Sequence, residues 1–154
     1  MEEKKKKTHQ VIQQGAISPQ FVADSIAKHS SKTNIGAHTI FLGQVRNDII
    51  DGKEVAEIEY TAYDAMAEKE FHAIREEAFA KYELTCMHIY HSIGLVKVGE
   101  ISLFVFVSAI HRKQVFEACS HIVEQIKKRV PIWGKELFKD GTFVWKANNI
   151  NTKL

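Results

Sequence analysis

The chain has 154 residues, 45% of them hydrophobic and 26% charged, and a formal net charge of +2. That length supports one domain with a substantial core and falls short of two comfortable ones. The excess charge sits in Glu2, Glu3 and Lys4 to Lys7, which leaves the rest of the chain balanced and argues against a broad basic face for nucleic acid. The longest apolar run, near Leu103 to Ile110, is far short of the ~20 residues a membrane helix needs.

Residues 1–17, with their lysine run, are expected to form a mobile N-terminal segment, and 18–154 a single domain. Ser18-Pro19 combines an N-cap hydroxyl with a proline suited to the first helical position, so a helix is predicted over about 18–29, with Phe21, Val22 and Ile26 as its apolar stripe. Gly36 to Val45 is rich in strand formers. The turn residues Asn47-Asp48 and Asp51-Gly52 follow, before alternation resumes from Val55. From Tyr63 to Tyr82 the period becomes helical, with Met66, Ile74, Ala78 and Tyr82 facing inward. Strands are predicted at about 85–96 and 100–109, joined by a turn at Lys97-Val98-Gly99-Glu100; the second is apolar at nearly every position, as a central strand covered on both faces would be. The last helix is expected over 112–129, with Phe116, Cys119, Val123 and Ile126 as its core stripe, and Pro131 ends it. Thr142 to Ala147 suggests a closing strand. This order predicts an α+β domain with a largely antiparallel sheet and helices packed on one side.

Cys86 and Cys119 lie in apolar-patterned segments without Cys-x-x-Cys spacing or an upstream signal peptide, and read as buried thiols of a cytoplasmic protein. His88 and His91 differ by an odd number on a predicted strand and face opposite sides. Cys119 and His121, two apart on a helix, diverge. With no His-Glu-x-x-His, paired Cys-x-x-Cys, acidic calcium loop or phosphate-cradling glycine loop, neither a metal nor a cofactor is expected.

The remaining chemistry is cationic. His111-Arg112 marks the handover from an apolar strand to a helix, where side-chain charge, backbone N–H groups and the helix dipole all favour an anion. Arg46 ends another apolar strand in a polar loop, a common position for ligand contacts. Of Lys127, Lys128 and Arg129 in the last helical turn, Lys127 borders the apolar stripe and is the one expected to enter a pocket, whereas the other two rotate towards solvent. A partly desolvated lysine beside other cations has a lowered pKa and can act as nucleophile or proton carrier.

Five segments in order resemble the large, catalytic subunit of molybdopterin synthase: Phe41 to Asn47; Tyr63 with Met66 to Lys69; Gly94 with Gly99-Glu100; His111-Arg112 with Phe116 to Ala118; and Lys127 with Pro131-Ile132-Trp133 and Lys135-Glu136. The likeness covers about 36–146. It implies an α/β hammerhead fold with an added antiparallel sheet and helices packed on it, and a sulfurtransferase of molybdenum-cofactor biosynthesis. It further implies a homodimer within a heterotetramer, flanked by ubiquitin-like small subunits whose C-terminal Gly-Gly tails carry a thiocarboxylate. Sulfur passes from that tail to cyclic pyranopterin monophosphate and builds the molybdopterin dithiolene. By resemblance Arg46, His111 and Arg112 take substrate-binding positions and Lys127 the catalytic lysine. The family's second lysine follows the Trp directly. Here that position is Gly134, so either Lys135 takes the part through a local backbone shift or the role is reduced. Ser92 also stands where an Arg commonly follows the His. The alternative reading is a non-catalytic adaptor that captures a partner's Gly-Gly tail; a nucleic-acid binder built on residues 127–129 and Trp133 is weaker.

Overall fold

The computed structural model describes residues 11–146. In chain order these form β1 (Ile12–Gln14), α1 (Pro19–His29), β2 (Ala37–Gln44), β3 (Ile49–Ile50), β4 (Lys53–Ala62), α2 (Asp64–Lys81), β5 (Cys86–Lys97), β6 (Ile101–Ala109), α3 (Arg112–Arg129), β7 (Ile132–Phe138) and β8 (Phe143–Trp145). The strands run β2-β6-β5-β4-β7-β8, with β3 on β4 and β1 added to β5 as the parallel pair in an otherwise antiparallel arrangement. This is the α+β class with an extended antiparallel sheet that the sequence predicts. None of the described helices is long and apolar enough to cross a membrane.

β5 joins two halves. Its first residues, Cys86 to His91, pair with β6, and its last, Gly94 to Lys97, pair with β4. Gly94, with φ of +81°, stands where it changes partner, a conformation that glycine adopts without strain. The β6 half carries the main core. Leu103, Val105 and Val107 project to one face, against Phe71 and Ile74 of α2 and Val115, Ile122 and Ile126 of α3. Phe104 and Phe106 project to the other, against Ile17 and Val22. β6 is thus covered on both faces, as its unbroken apolar run implies. Truncating Phe71 or Phe106 to Ala would cost about 3–5 kcal/mol.

The helices therefore do not share one side: α2 and α3 cover one face and α1 the other, a split that the two-sided apolarity of β6 requires. Ser18 caps α1 by accepting from the Phe21 N–H at 3.1 Å, with Pro19 following it, a cap worth ~1 kcal/mol. In α3 the buried stripe is Val115, Ala118, Cys119, Ile122 and Ile126, while Phe116 is 63% exposed. Cys119 and Ile126 hold the expected places and Val123 packs at the edge, while Val115 takes the inward position expected of Phe116. In α2, Ala67 and Phe71 take the inward place expected of Met66. The expected mobile segment meets ordered structure from Val11 on: β1 pairs with β5, and Val11 and Ile17 are buried. Residues 1–10 and the last residue of the expected closing strand, Ala147, lie outside the described residues.

Candidate active site

A cavity of about 300 Å³ opens where the two halves of the sheet meet, between the end of β2, the middle of β4 and the inward face of β7. Gly43, Arg46, Ile58, Tyr60, Glu136 and Lys146 contribute to its walls. A register shift at Gly43/Gln44 breaks the β2–β6 ladder and turns the chain outward, which brings Arg46 to the rim. The Arg46 guanidinium is 72% exposed and lies 3.2 Å from the Asp48 carboxylate. Such an exposed pair contributes ~0–1 kcal/mol, so an incoming anion can displace it.

β7 alternates: Gly134, Glu136 and Phe138 are buried, whereas Trp133 is exposed and Lys135 and Leu137 are partly so. The absence of a side chain at Gly134 shapes the cavity. A Cβ there would lie 3.1 Å from Ile58 Cγ2 and 3.6 Å from both Tyr60 Cε1 and Lys146 Cβ. Lys146 crosses over this glycine, its backbone N–H donating to the Gly134 carbonyl at 2.7 Å. Glu136 is 4% exposed, and its Oε2 has no hydrogen-bond partner among the described residues, leaving an acceptor in the cavity wall.

Lys127, in the last turn of α3, is within electrostatic reach of Lys146 in the cavity wall and of the buried His91. Solvent reaches its side chain, yet enough protein surrounds the amine that desolvation lowers its pKa, and the Lys146 charge lowers it further. His91 is 4% exposed and pushed down to about 4, first by burial and then by Lys127, against the opposing effect of its 2.8 Å hydrogen bond to the Ser92 carbonyl. It is a neutral imidazole at neutral pH. Tyr60 meets it edge-on at 5.4 Å. Burial raises the Tyr60 pKa and the Glu136 charge adds to this, while its 3.3 Å hydrogen bond to Ser102 Oγ opposes both. The set offers an amine with a lowered pKa, two neutral ring groups and an exposed guanidinium.

The cations named by the sequence do not all meet. Antiparallel pairing puts Ala37 opposite Ala109 and Gln44 opposite Ile101, so Arg46 leaves one end of the β2–β6 pair and His111 the other. Lys127 is fifteen residues along α3 from Arg112, roughly 22 Å at 1.5 Å per residue. His111 and Arg112 are exposed at the N-terminus of α3, where His111 is the N-cap residue but makes no capping side-chain bond. Lys135 is on the opposite face of β7 from Gly134, its Nζ 3.8 Å from the Phe143 ring centre and 5.9 Å from that of Trp145. Its side chain therefore does not line the cavity in this structure. Arg129 does not rotate into solvent either: it grips Glu77 through two nitrogens and Glu70 through Nε at 3.1 Å, tying α3 to α2. The sequence reading assigned no site role to Tyr60, Glu136 or Lys146, and His91 entered it as a rejected metal ligand and as the His that precedes Ser92.

The family model described as "MoaE protein" matches residues 12–129. A molybdopterin synthase catalytic subunit from Pyrococcus abyssi is 43% identical over 122 residues, 79% of this chain and 81% of that protein. Its counterpart from Oryza sativa subsp. indica is 43% identical over 113 residues, 73% of this chain but 58% of its own longer length. Among solved structures, molybdopterin synthase from Staphylococcus aureus superposes with a TM-score of 0.79 at 31% identity, covering 92% of this chain and 98% of that one. A complex of subunits 1 and 2 of the molybdopterin-converting factor from Helicobacter pylori shares the fold, with a TM-score of 0.75 at 22% identity. With sequence, family model and fold in agreement, the chain belongs to the MoaE family, that of the molybdopterin synthase catalytic subunits.

Proposed function

We propose that this chain transfers sulfur from the C-terminal thiocarboxylate of a ubiquitin-like small subunit to cyclic pyranopterin monophosphate, with Lys127 as its catalytic amine. The observation that supports the reading is the setting of Lys127: desolvation and the Lys146 charge both lower its pKa, and Lys146 lines the cavity that Arg46 rims. A lysine with a lowered pKa can, in its amine form, accept a proton as sulfur adds to the pterin side chain. Once protonated, it can stabilise negative charge at the tail carbonyl as the acyl–sulfur bond breaks. Arg46 suits the substrate phosphate, and the unpartnered Glu136 oxygen suits the N–H groups of a pterin ring.

Lys146 reaches the space beside Gly134, where the family carries its second lysine, and we assign to it the part that Lys135, held between Phe143 and Trp145, does not fill. His111 and Arg112 cannot meet Lys127 within one chain. They serve instead in a homodimer, each copy lending its α3 N-terminus to the other's cavity, with a small subunit at each end of a cytoplasmic heterotetramer. The complex of two subunits formed by the Helicobacter pylori relative agrees with such a partner.

The test is reconstitution with thiocarboxylated small subunit and cyclic pyranopterin monophosphate, read as molybdopterin formed. Lys127→Ala should fold, bind the small subunit and form no product. Undiminished turnover by that variant would refute the assignment, and tail binding without affinity for the pterin phosphate would favour an adaptor.

A further inference from the structure

The face of β5 turned away from Lys127 holds a second cluster of chemically capable side chains. Cys86 and His88, two residues apart on the strand, project to the same face, and His29 at the end of α1 comes down on them. The His29 Nε2 lies 3.0 Å from the His88 Nε2. One ligand atom from each of His29, Cys86 and His88 falls within 4.8 Å of the others. His29 is 8% exposed, Cys86 7%, and His88 is half-buried, so the cluster is shielded rather than spread on the surface. Phe106 flanks both imidazoles, its ring centre 4.7 Å from that of His29 and 6.3 Å from that of His88.

Two independent details set these groups up as lone-pair donors. The Nδ1 of His29 is 2.7 Å from the Ser25 carbonyl, so this nitrogen carries the proton and Nε2 offers its lone pair to the cluster. A backbone carbonyl on the far ring nitrogen is the usual way a protein orients a metal-binding histidine. The Lys32 ammonium donates to Cys86 Sγ at 2.9 Å, which marks the sulfur as an acceptor facing the same space. In a tetrahedral zinc site two nitrogens are about 3.3 Å apart and a nitrogen–sulfur pair about 3.5 Å. The histidine pair already lies within a few tenths of an ångström of that spacing, and the Cys86 sulfur lies within 4.8 Å of both ligand nitrogens. His38 stays outside the set, its Nδ1 2.7 Å from Ser108 Oγ.

We propose that His29, Cys86 and His88 bind a divalent metal ion of zinc's class, with the fourth position open to water. Two imidazoles and a thiol suit zinc and its neighbours and do not suit magnesium or calcium. On binding, Cys86 gives up its proton to solvent and the Lys32 ammonium withdraws. The ion staples the C-terminal end of α1 to β5, across 59 residues of sequence between the two histidines. It would lie on the other face of the strand from the Lys127 cavity, so its role is structural and its test independent of the sulfur-transfer reading.

Metal-free full-length protein titrated with Co(II) should take up one equivalent, with tetrahedral d–d bands and a thiolate-to-cobalt charge-transfer band, and zinc should displace the cobalt. Zinc should also raise Tm with its concentration, as a ligand that binds only the folded state does. Cys86→Ser should remove the charge-transfer band. His29→Gln and His88→Gln should weaken zinc by more than the ~10–100-fold that even outer-shell changes cost. Lys32→Ala, at an exposed position outside the ligand set, should fold regardless and bind zinc at least as tightly. A wild-type protein without the charge-transfer band, zinc affinity unchanged in the Cys86 and His29 variants, or a severalfold loss in Lys32→Ala would each overturn the proposal. The histidines would then simply share a proton.

Discussion

The two ends of α3 carry cations in opposite circumstances. At the C-terminal end Lys127 is partly desolvated, feels a second ammonium from Lys146, and neighbours a histidine buried in its neutral form. At the N-terminal end His111 and Arg112 lie exposed on backbone N–H groups that no capping side chain engages. The first end has neighbours that alter its chemistry. The second has charge and direction but no walls. Basic side chains on one helix thus differ in their electrostatic setting by what packs around them.

The largest expected effect breaks the first end. Lys127→Ala should lower molybdopterin formation by ~10²–10⁴-fold, the usual worth of a proton-transferring side chain, while the denaturation midpoint stays within error. A loss matched by unfolding would instead make Lys127 structural. The second prediction joins the two ends. Arg112→Ala should also be inactive alone, but mixed with Lys127→Ala and allowed to exchange subunits it should regain about 25% of wild-type activity, because half the dimers then hold one intact composite site. No recovery on mixing would mean that the two ends never cooperate.

The third concerns stability around the first end. His91 titrates near 6.5 when unfolded and about 4 when folded. Between those values the unfolded chain binds a proton that the native chain does not, so stability is complete above pH 6.5 and falls as pH drops towards 4, by about 3 kcal/mol. Urea titrations at pH 7 and pH 5 should show the fall, and His91→Gln should flatten it; an unchanged slope in that variant would assign the effect to other groups. The smallest effect sharpens the role of Lys146. Removing its charge in Lys146→Met should raise the Lys127 pKa and move the pH–activity profile to higher pH, with a severalfold loss at neutrality. An unmoved profile would detach Lys146 from the reaction.

Much of the fold was legible because local chemistry and tertiary structure agree. Ser18-Pro19 starts α1, Asp51-Gly52 makes the β3–β4 turn with positive φ at both residues, and Pro131 closes α3. β1 and β7 were not legible. Three residues in a parallel pair carry no periodic signal, and the alternation of β7 is hidden because its inward residues include Gly134 and Glu136, neither of them apolar. The site divided the same way. That Lys127 borders the buried stripe, one residue after Ile126, follows from helical geometry alone. Lys146 depends on the β7–β8 pairing that carries it over Gly134, and the opposite ends taken by Arg46 and His111 depend on strand register. Such contacts between distant residues leave no trace in local pattern. The cluster of His29, Cys86 and His88 is hidden for the same reason, since spacing along the chain compares His88 with His91 and never with His29.

The grip of Arg129 on Glu70 and Glu77 bears on aim as well as on cohesion. Residues 127 and 129 are separated by about 200° around a helix axis, so a side chain anchored on α2 at one position leaves the other directed towards the sheet. The two-nitrogen hold on Glu77 opposes rolling of α3 about its own axis, and a roll of one residue, about 100°, would turn the Lys127 amine away from Lys146 and His91. The azimuth of Lys127 is thus set by an arginine from the far side of the helix.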